Sequence, residues 1–167
     1  EVVLRAIELG YTHIDTAWMY ENQEPIGRAV RQCGVDRSEL FITSKIWHTH
    51  LGYDEVLKQF GEILDQLQDS GYDMQECFIT SPMVPLSLRT ARQRWGDSMI
   101  IWGGLPSVLL EESTSEEEFE EYMEDLFRAI SPGNAFILGI ADNAMPSSMI
   151  SRMRRVGEMV EEYGVYP

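Results

Sequence analysis

Gly-Tyr-Thr-His-Ile-Asp-Thr-Ala-Trp-Met-Tyr-Glu-Asn fills residues 10–22, and Phe-Ile-Thr-Ser-Lys-Ile-Trp fills residues 41–47. Each stretch holds a short apolar run without alternation, the pattern of strands buried on both faces of a parallel sheet. Each run ends in polar residues: Asp15 and Tyr20 in the first, Lys45 in the second. Between them, Pro25 to Cys33 reads as a helix with Pro in its first turn and Gly34 as its stop. Strand, helix and strand together make a βα unit. An acid, a phenol and an amine delivered to strand ends form a candidate proton-transfer site.

The alternation continues in both directions. Glu1 to Leu9 reads as a helix end stopped by Gly10. Asp54 to Leu67 is an amphipathic helix, apolar at 56, 57, 60, 63, 64 and 67, with Asp54 as its N-cap. Met74 to Thr80 is a strand, and a short helix follows from Ser87 to Trp95. Ser98 to Trp102 is the next strand, turned by Gly103-Gly104. Ser115 and Glu118 form a capping box ahead of a helix over Glu116 to Ile130. Ala135 to Ala141 is the last strand, and Pro146 to Tyr163 the last helix, with Met145, Met149, Met153 and Met159 read as a packed face. The expected fold class is α/β, a partial TIM-barrel-like parallel sheet of about five βα units. It is not a full eight-stranded barrel, which takes ~250 residues. Residues 1–167 are read as a single α/β domain. Open sheet edges and partly exposed Trp18, Trp47, Trp95 and Trp102 offer a surface for a homo-oligomer.

Composition narrows the function. The chain has 167 residues, 44% of them apolar, and a net charge of −15. Residues 1–68 carry 11 acids against 6 bases, and residues 69–167 carry 17 against 7. Such a surface repels phosphate backbones, so no nucleic-acid partner is expected. No apolar run reaches the ~18 residues of a membrane span, so no membrane partner is expected either. Cys33 and Cys77 are too few and too far apart for a disulfide framework or zinc site. They read as reduced, buried residues in a cytoplasmic protein. His48 and His50 stand at i, i+2 with no third ligand nearby, and His13 reads as a core histidine, so no metal is expected. The chain opens at Glu1, inside a helical pattern and without Met, which reads as a start cut from a longer chain.

Residues 1 to about 68 resemble the aldo/keto reductase family. The likeness lies in Ala-Ile-Glu-Leu-Gly-Tyr-Thr-His-Ile-Asp-Thr-Ala over 6–17, in Tyr20 and Asn22, in Ile26-Gly27-Arg28-Ala29, and in Glu39-Leu40-Phe41-Ile42-Thr43-Ser44-Lys45-Ile46-Trp47. The resemblance implies a βα barrel, hydride transfer from NADPH to a carbonyl of a small-molecule substrate, Tyr20 as general acid, and Lys45 and Asp15 in support. The chemistry is consistent: a phenol of pKa ~10 needs a nearby cation to protonate a developing alkoxide efficiently. A carboxylate would hold that cation charged and oriented. Trp47 and Thr80 join the set as substrate-binding candidates, Thr80 standing where the family has a histidine. The family segments that hold NADP have no counterpart downstream, so the cofactor-binding residues are unknown and the activity is expected to be impaired. Arg152, Arg154 and Arg155 lie on the last helix, away from a strand end.

Residues from about 69 to 167 resemble the C-terminal part of the uroporphyrinogen decarboxylase superfamily, which includes corrinoid-dependent methyltransferases. The likeness lies in Trp95-Gly96-Asp97, Ile101-Trp102-Gly103-Gly104-Leu105-Pro106-Ser107, Phe119-Glu120-Glu121-Tyr122, the run Phe136 to Asn143, and Glu161 to Pro167. It implies a lyase or methyltransferase relative, with a seam near Gln68 to Asp73. Asp142 and Asn143, ending the last strand, are substrate-binding candidates, since ligands of α/β folds gather at such ends. A hybrid βα domain without catalysis is the third expectation. Glu76, inside an apolar strand, either faces a helix gap or pairs with Lys45.

Overall fold

The computed structural model describes residues 1–45, 72–84, 86–131, 133–141 and 143–164. The expected helix over 54–67, together with Trp47, His48, His50 and Asp142, lies outside the described residues. The fold is α/β. Its strands are β1 (His13–Asp15), β2 (Phe41–Lys45), β3 (Met74–Phe78), β4 (Ile100–Leu105) and β5 (Phe136–Ile140), in the order β1-β2-β3-β4-β5. The pairs β1·β2, β2·β3 and β4·β5 are parallel. The described helices are α1 (Val2–Glu8), α2 (Gln23–Gln32), α3 (Leu88–Trp95), α4 (Glu116–Ile130) and α5 (Ile150–Tyr163). No helix among the described residues is long and apolar enough to cross a membrane. The chain divides into two compact units, Glu1–Glu76 and Cys77–Pro167.

In the first unit, α1 ends as its sequence dictates. Gly10 takes φ +92°, and the N–H groups of Gly10 and Tyr11 donate to the carbonyls of Ile7 and Ala6 at 2.9 and 3.1 Å. That pair of bonds closes the last helical turn on its own carbonyls. Ile7, Ala17, Ile26, Ala29, Leu40, Ile42, Tyr72 and Met74 are buried. Asp73 fixes the start of β3 by accepting from Arg37 Nη2 at 2.9 Å and from the Ile42 N–H at 2.7 Å. His13 is not a core residue. It is exposed on β1, with its ring edge on Phe41 at 5.2 Å.

In the second unit the expected capping box is present: Ser115 Oγ accepts from the Glu118 N–H at 3.2 Å, and the Glu118 carboxylate accepts from the Ser115 N–H at 2.8 Å. Leu105, Leu109, Leu110, Phe119, Met123 and Met159 form a buried cluster under α4 and α5. Of the methionines read as one packed face, Met159 is buried but Met145 and Met153 are exposed: Met145 precedes α5, which starts at Ile150 rather than Pro146, and Met153, six residues from Met159, lies on another face of the helix. Trp95 is fully packed, its ring edge-on to Phe78 at 5.8 Å, whereas Trp102 is 40% exposed. Cys77 is exposed rather than buried, and its φ of +56° breaks the regular side-chain alternation of β3.

Gly103-Gly104 corrects another expectation. The pair lies inside β4, not in a turn after it. A Cβ at Gly103 would stand 2.7 Å from the Phe78 nitrogen, and its φ is +139°. Close approach to the β3 backbone is what requires glycine here. Gly103→Ala is therefore expected to destabilise the chain by about 2 kcal/mol or more. Gly157→Ala, where a Cβ meets nothing within 4 Å in mid-helix, is expected to stabilise by roughly 0.5–1 kcal/mol. Urea unfolding midpoints of the two variants check the contrast, and equal shifts would contradict it.

Candidate functional site

Parallel pairing builds the site. The β1·β2 register sets Asp15 opposite Thr43, and the β2·β3 register sets Lys45 opposite Glu76. Side chains two apart share a face, so His13, Asp15, Thr43, Lys45, Met74 and Glu76 lie on one face of the first unit. Two contacts bear this out: His13 Nε2 lies 2.9 Å from Thr43 Oγ1, and that hydroxyl donates to Met74 Sδ at 3.9 Å.

Lys45 stands in the middle. Its Nζ donates to Asp15 Oδ1 and Oδ2 at 2.6 and 2.8 Å and to the Thr16 carbonyl at 3.2 Å. Glu76 Oε2 is 3.0 Å away on the other side. The side chains of Lys45 and Glu76 are 23% and 24% exposed, that of Asp15 51%. Burial opposes the ammonium's charge, but the hydrogen bonds and charges of Asp15 and Glu76 outweigh it and raise the Lys45 pKa above its ordinary 10.5. The choice the sequence left open for Glu76 is thus resolved: it pairs with Lys45.

Directly after β1 the chain tightens into a 3₁₀ turn over Trp18–Tyr20, in which the Tyr20 N–H donates to the Ala17 carbonyl at 3.0 Å. The Thr16 hydroxyl, completely buried, donates to Asn22 Oδ1 at 2.7 Å. Asn22 is the N-cap of α2, yet its side chain makes no capping bond. Its amide oxygen ties the turn to the end of β1 instead. Glu21, between them, is held at φ +50°, a conformation costly for a residue with a side chain. The turn leaves the Tyr20 side chain 52% exposed, open to a small molecule.

The remaining candidates fall in the second unit or outside the described residues. Thr80 is 2% exposed, and its hydroxyl oxygen is 2.5 Å from that of Tyr122, which in turn donates to the Gly104 carbonyl. Burial, partly offset by the Thr80 hydrogen bond, pushes the Tyr122 pKa up to about 12. The Thr80 hydroxyl is therefore engaged with α4. Asn143 is exposed, and Trp47 and Asp142 are not among the described residues. Sequence reasoning missed two participants. The Thr16 carbonyl carries no residue-type signal at all, whereas Asn22 had one, standing two residues after Tyr20.

A dinucleotide phosphate needs free, grouped cations. On α5, Arg152 is 3% exposed and donates to the carbonyls of Leu109, Glu111 and Thr114 at 2.8, 2.6 and 2.6 Å. Arg155 forms a two-pronged pair with Glu120 at 2.7 and 3.0 Å. These arginines do not fit a phosphate cradle, since their donors are already engaged.

The profile described as the aldo/keto reductase family matches residues 1–155. It therefore runs through the seam expected near Gln68 to Asp73. Methylglyoxal reductase DkgB of Yersinia pestis is 40% identical over 80 residues, 48% of this chain and 30% of that protein. Glyoxal reductase of Bacillus subtilis is 47% identical over 68 residues, 41% of this chain and 25% of that protein. The chain spans less than a third of the length of these curated relatives. Among solved structures, a methyltransferase from Methanosarcina mazei superposes with a TM-score of 0.55 at 10% identity, over 98% of this chain and 45% of that one. At that identity the likeness is one of fold alone.

The raised pKa of Lys45 has a definite sign in stability. A lysine whose folded pKa lies above its unfolded 10.5 adds stability that is fully present below 10.5 and is lost as pH rises through the folded value. Lys45→Met is expected to cost about 1–2 kcal/mol near neutral pH, where Asp15 and Glu76 lose their shared cation. That difference from the unaltered chain should shrink as the pH rises above 10.5. Urea unfolding of both proteins across this range checks it, and a pH-independent gap would contradict it.

Proposed function

The chain belongs to the aldo/keto reductase family, and we propose that it carries the proton-delivery set of an NADP-dependent carbonyl reductase acting on small 2-oxoaldehydes. The observation that carries this reading is Lys45 clamped by Asp15 at the end of β1 and β2, with half-exposed Tyr20 on the turn that follows. Tyr20 is the general acid. As a carbonyl oxygen gains negative charge, the phenol passes its proton to it, leaving an alcohol oxygen and a tyrosinate. The Lys45 ammonium stabilises that tyrosinate, and Asp15 keeps the ammonium charged and aimed. Exposure of the Tyr20 ring lets the tyrosinate recover a proton from water. The substrate class is supported by the names of the two relatives, a methylglyoxal reductase and a glyoxal reductase. Arg152 and Arg155 are engaged elsewhere and offer the NADP phosphates no holder, so the assignment covers proton delivery alone.

The test is methylglyoxal-dependent oxidation of NADPH, followed by loss of its fluorescence. Tyr20→Phe removes one oxygen from a half-exposed ring and is expected to lower kcat at least about a hundredfold while leaving the circular dichroism spectrum unchanged. No NADPH oxidation by the unaltered chain would sink the reading. Binding of a porphyrinogen in its place would favour the resemblance carried by residues 69–167.

A further inference from the structure

An ammonium has three N–H donors, and Lys45 faces three acceptors: the Asp15 carboxylate, the Thr16 carbonyl and Glu76 Oε2, the last at 3.0 Å. Two of the three are anionic, so the cluster of Asp15, Lys45 and Glu76 carries one net negative charge. Asp15 and Thr16 come from the strand end that leads into the Tyr20 turn, and their hold on Lys45 is built into β1. Glu76 reaches Lys45 from β3, on the opposite flank. A lysine supports a tyrosinate better the more of its donors and charge are left to offer. Glu76 takes up one donor and part of the charge.

We propose that Glu76 is a positioning residue that restrains Lys45 and thereby limits the support the ammonium gives to a tyrosinate at Tyr20. This rests on Tyr20 being the general acid. With Glu76 bonded, one Lys45 donor and part of its charge are held toward β3 rather than offered to the turn that carries Tyr20. With that carboxylate removed, one Lys45 donor is released and the tyrosinate is favoured. Among the described residues, the charged groups that bear on Lys45 are Asp15 from β1 and Glu76 from β3. His13 shares their face and is engaged by Thr43, and Tyr20 stands on the 3₁₀ turn that follows β1. Asp73, at the start of β3, is tied to Arg37.

The chain suits a direct test, because it contains two lysines, Lys45 and Lys58. Isotope-labelled lysine gives two Cε resonances by NMR, and Lys58→Arg assigns them. In Glu76→Gln the Lys45 pKa is expected to fall by roughly one unit, and Glu76→Asp should recover most of it. In the same Gln variant the alkaline limb of the kcat/KM profile should move to lower pH. An unmoved Lys45 titration in Glu76→Gln overturns the proposal whether or not the chain reduces methylglyoxal. An unmoved alkaline limb in an active enzyme overturns it too. Absence of turnover in the unaltered chain removes the Tyr20 role instead, and the Lys45 titration still decides whether Glu76 holds the lysine.

Discussion

A single ammonium group joins three strands of the first unit. Lys45 stands on β2, and its partners stand on the strands to either side, Asp15 on β1 and Glu76 on β3. Parallel pairing makes this possible, since it brings residues of distant sequence position to the same level and face. Two carboxylates on neighbouring strands would repel each other across β2 without the cation. The registers of both strand pairs and the protonation of the site are thus parts of one electrostatic arrangement. A one-residue slip of β3 would turn Glu76 to the other face and leave Lys45 with a different counter-ion.

Much of this was legible in the chain. Apolar runs ending in Asp15 and Lys45 specified parallel strands with charges at their ends, because a strand buried on both faces has nowhere else to put them. Ser115 and Glu118 specified a helix start, and Gly10 a helix stop, because each answers a local hydrogen-bonding need within four residues. What was not legible is long-range. Gly103-Gly104 looks like a turn in isolation, and only the nearness of the Phe78 backbone makes it a strand. His13 looks internal at the start of a strand, yet its position on β1 leaves it exposed. Whether Glu76 would find Lys45 or a helix gap depended on the β2·β3 register, which no local pattern encodes.

The second unit uses its polar residues differently. Arg152 is spread over three backbone carbonyls and lies 5.3 Å above the Phe119 ring. Its charge satisfies the end of the 3₁₀ turn over Ser107–Leu110 and the loop that follows, groups that would otherwise be buried without donors. Tyr122 and Thr80 satisfy each other and the Gly104 carbonyl. Read as residue types, a buried arginine and a high-pKa tyrosine suggest chemistry. Read by partner, they are fastenings of loops and strands, and identical side chains separate into the two classes only once the partners are known.

Asn22 has a consequence beyond the turn it ties. A helix N-cap of Asn ordinarily bonds its own first turn, and giving up that bond costs about 1 kcal/mol. Asn22 leaves α2 uncapped by its side chain and bonds the buried Thr16 hydroxyl instead. A residue that capped α2 instead would leave that buried hydroxyl without a partner, at a cost of about 1–3 kcal/mol. Position 22 is thus settled by the strand end and not by the helix it precedes, and a substitution chosen for helix capping alone would destabilise the chain.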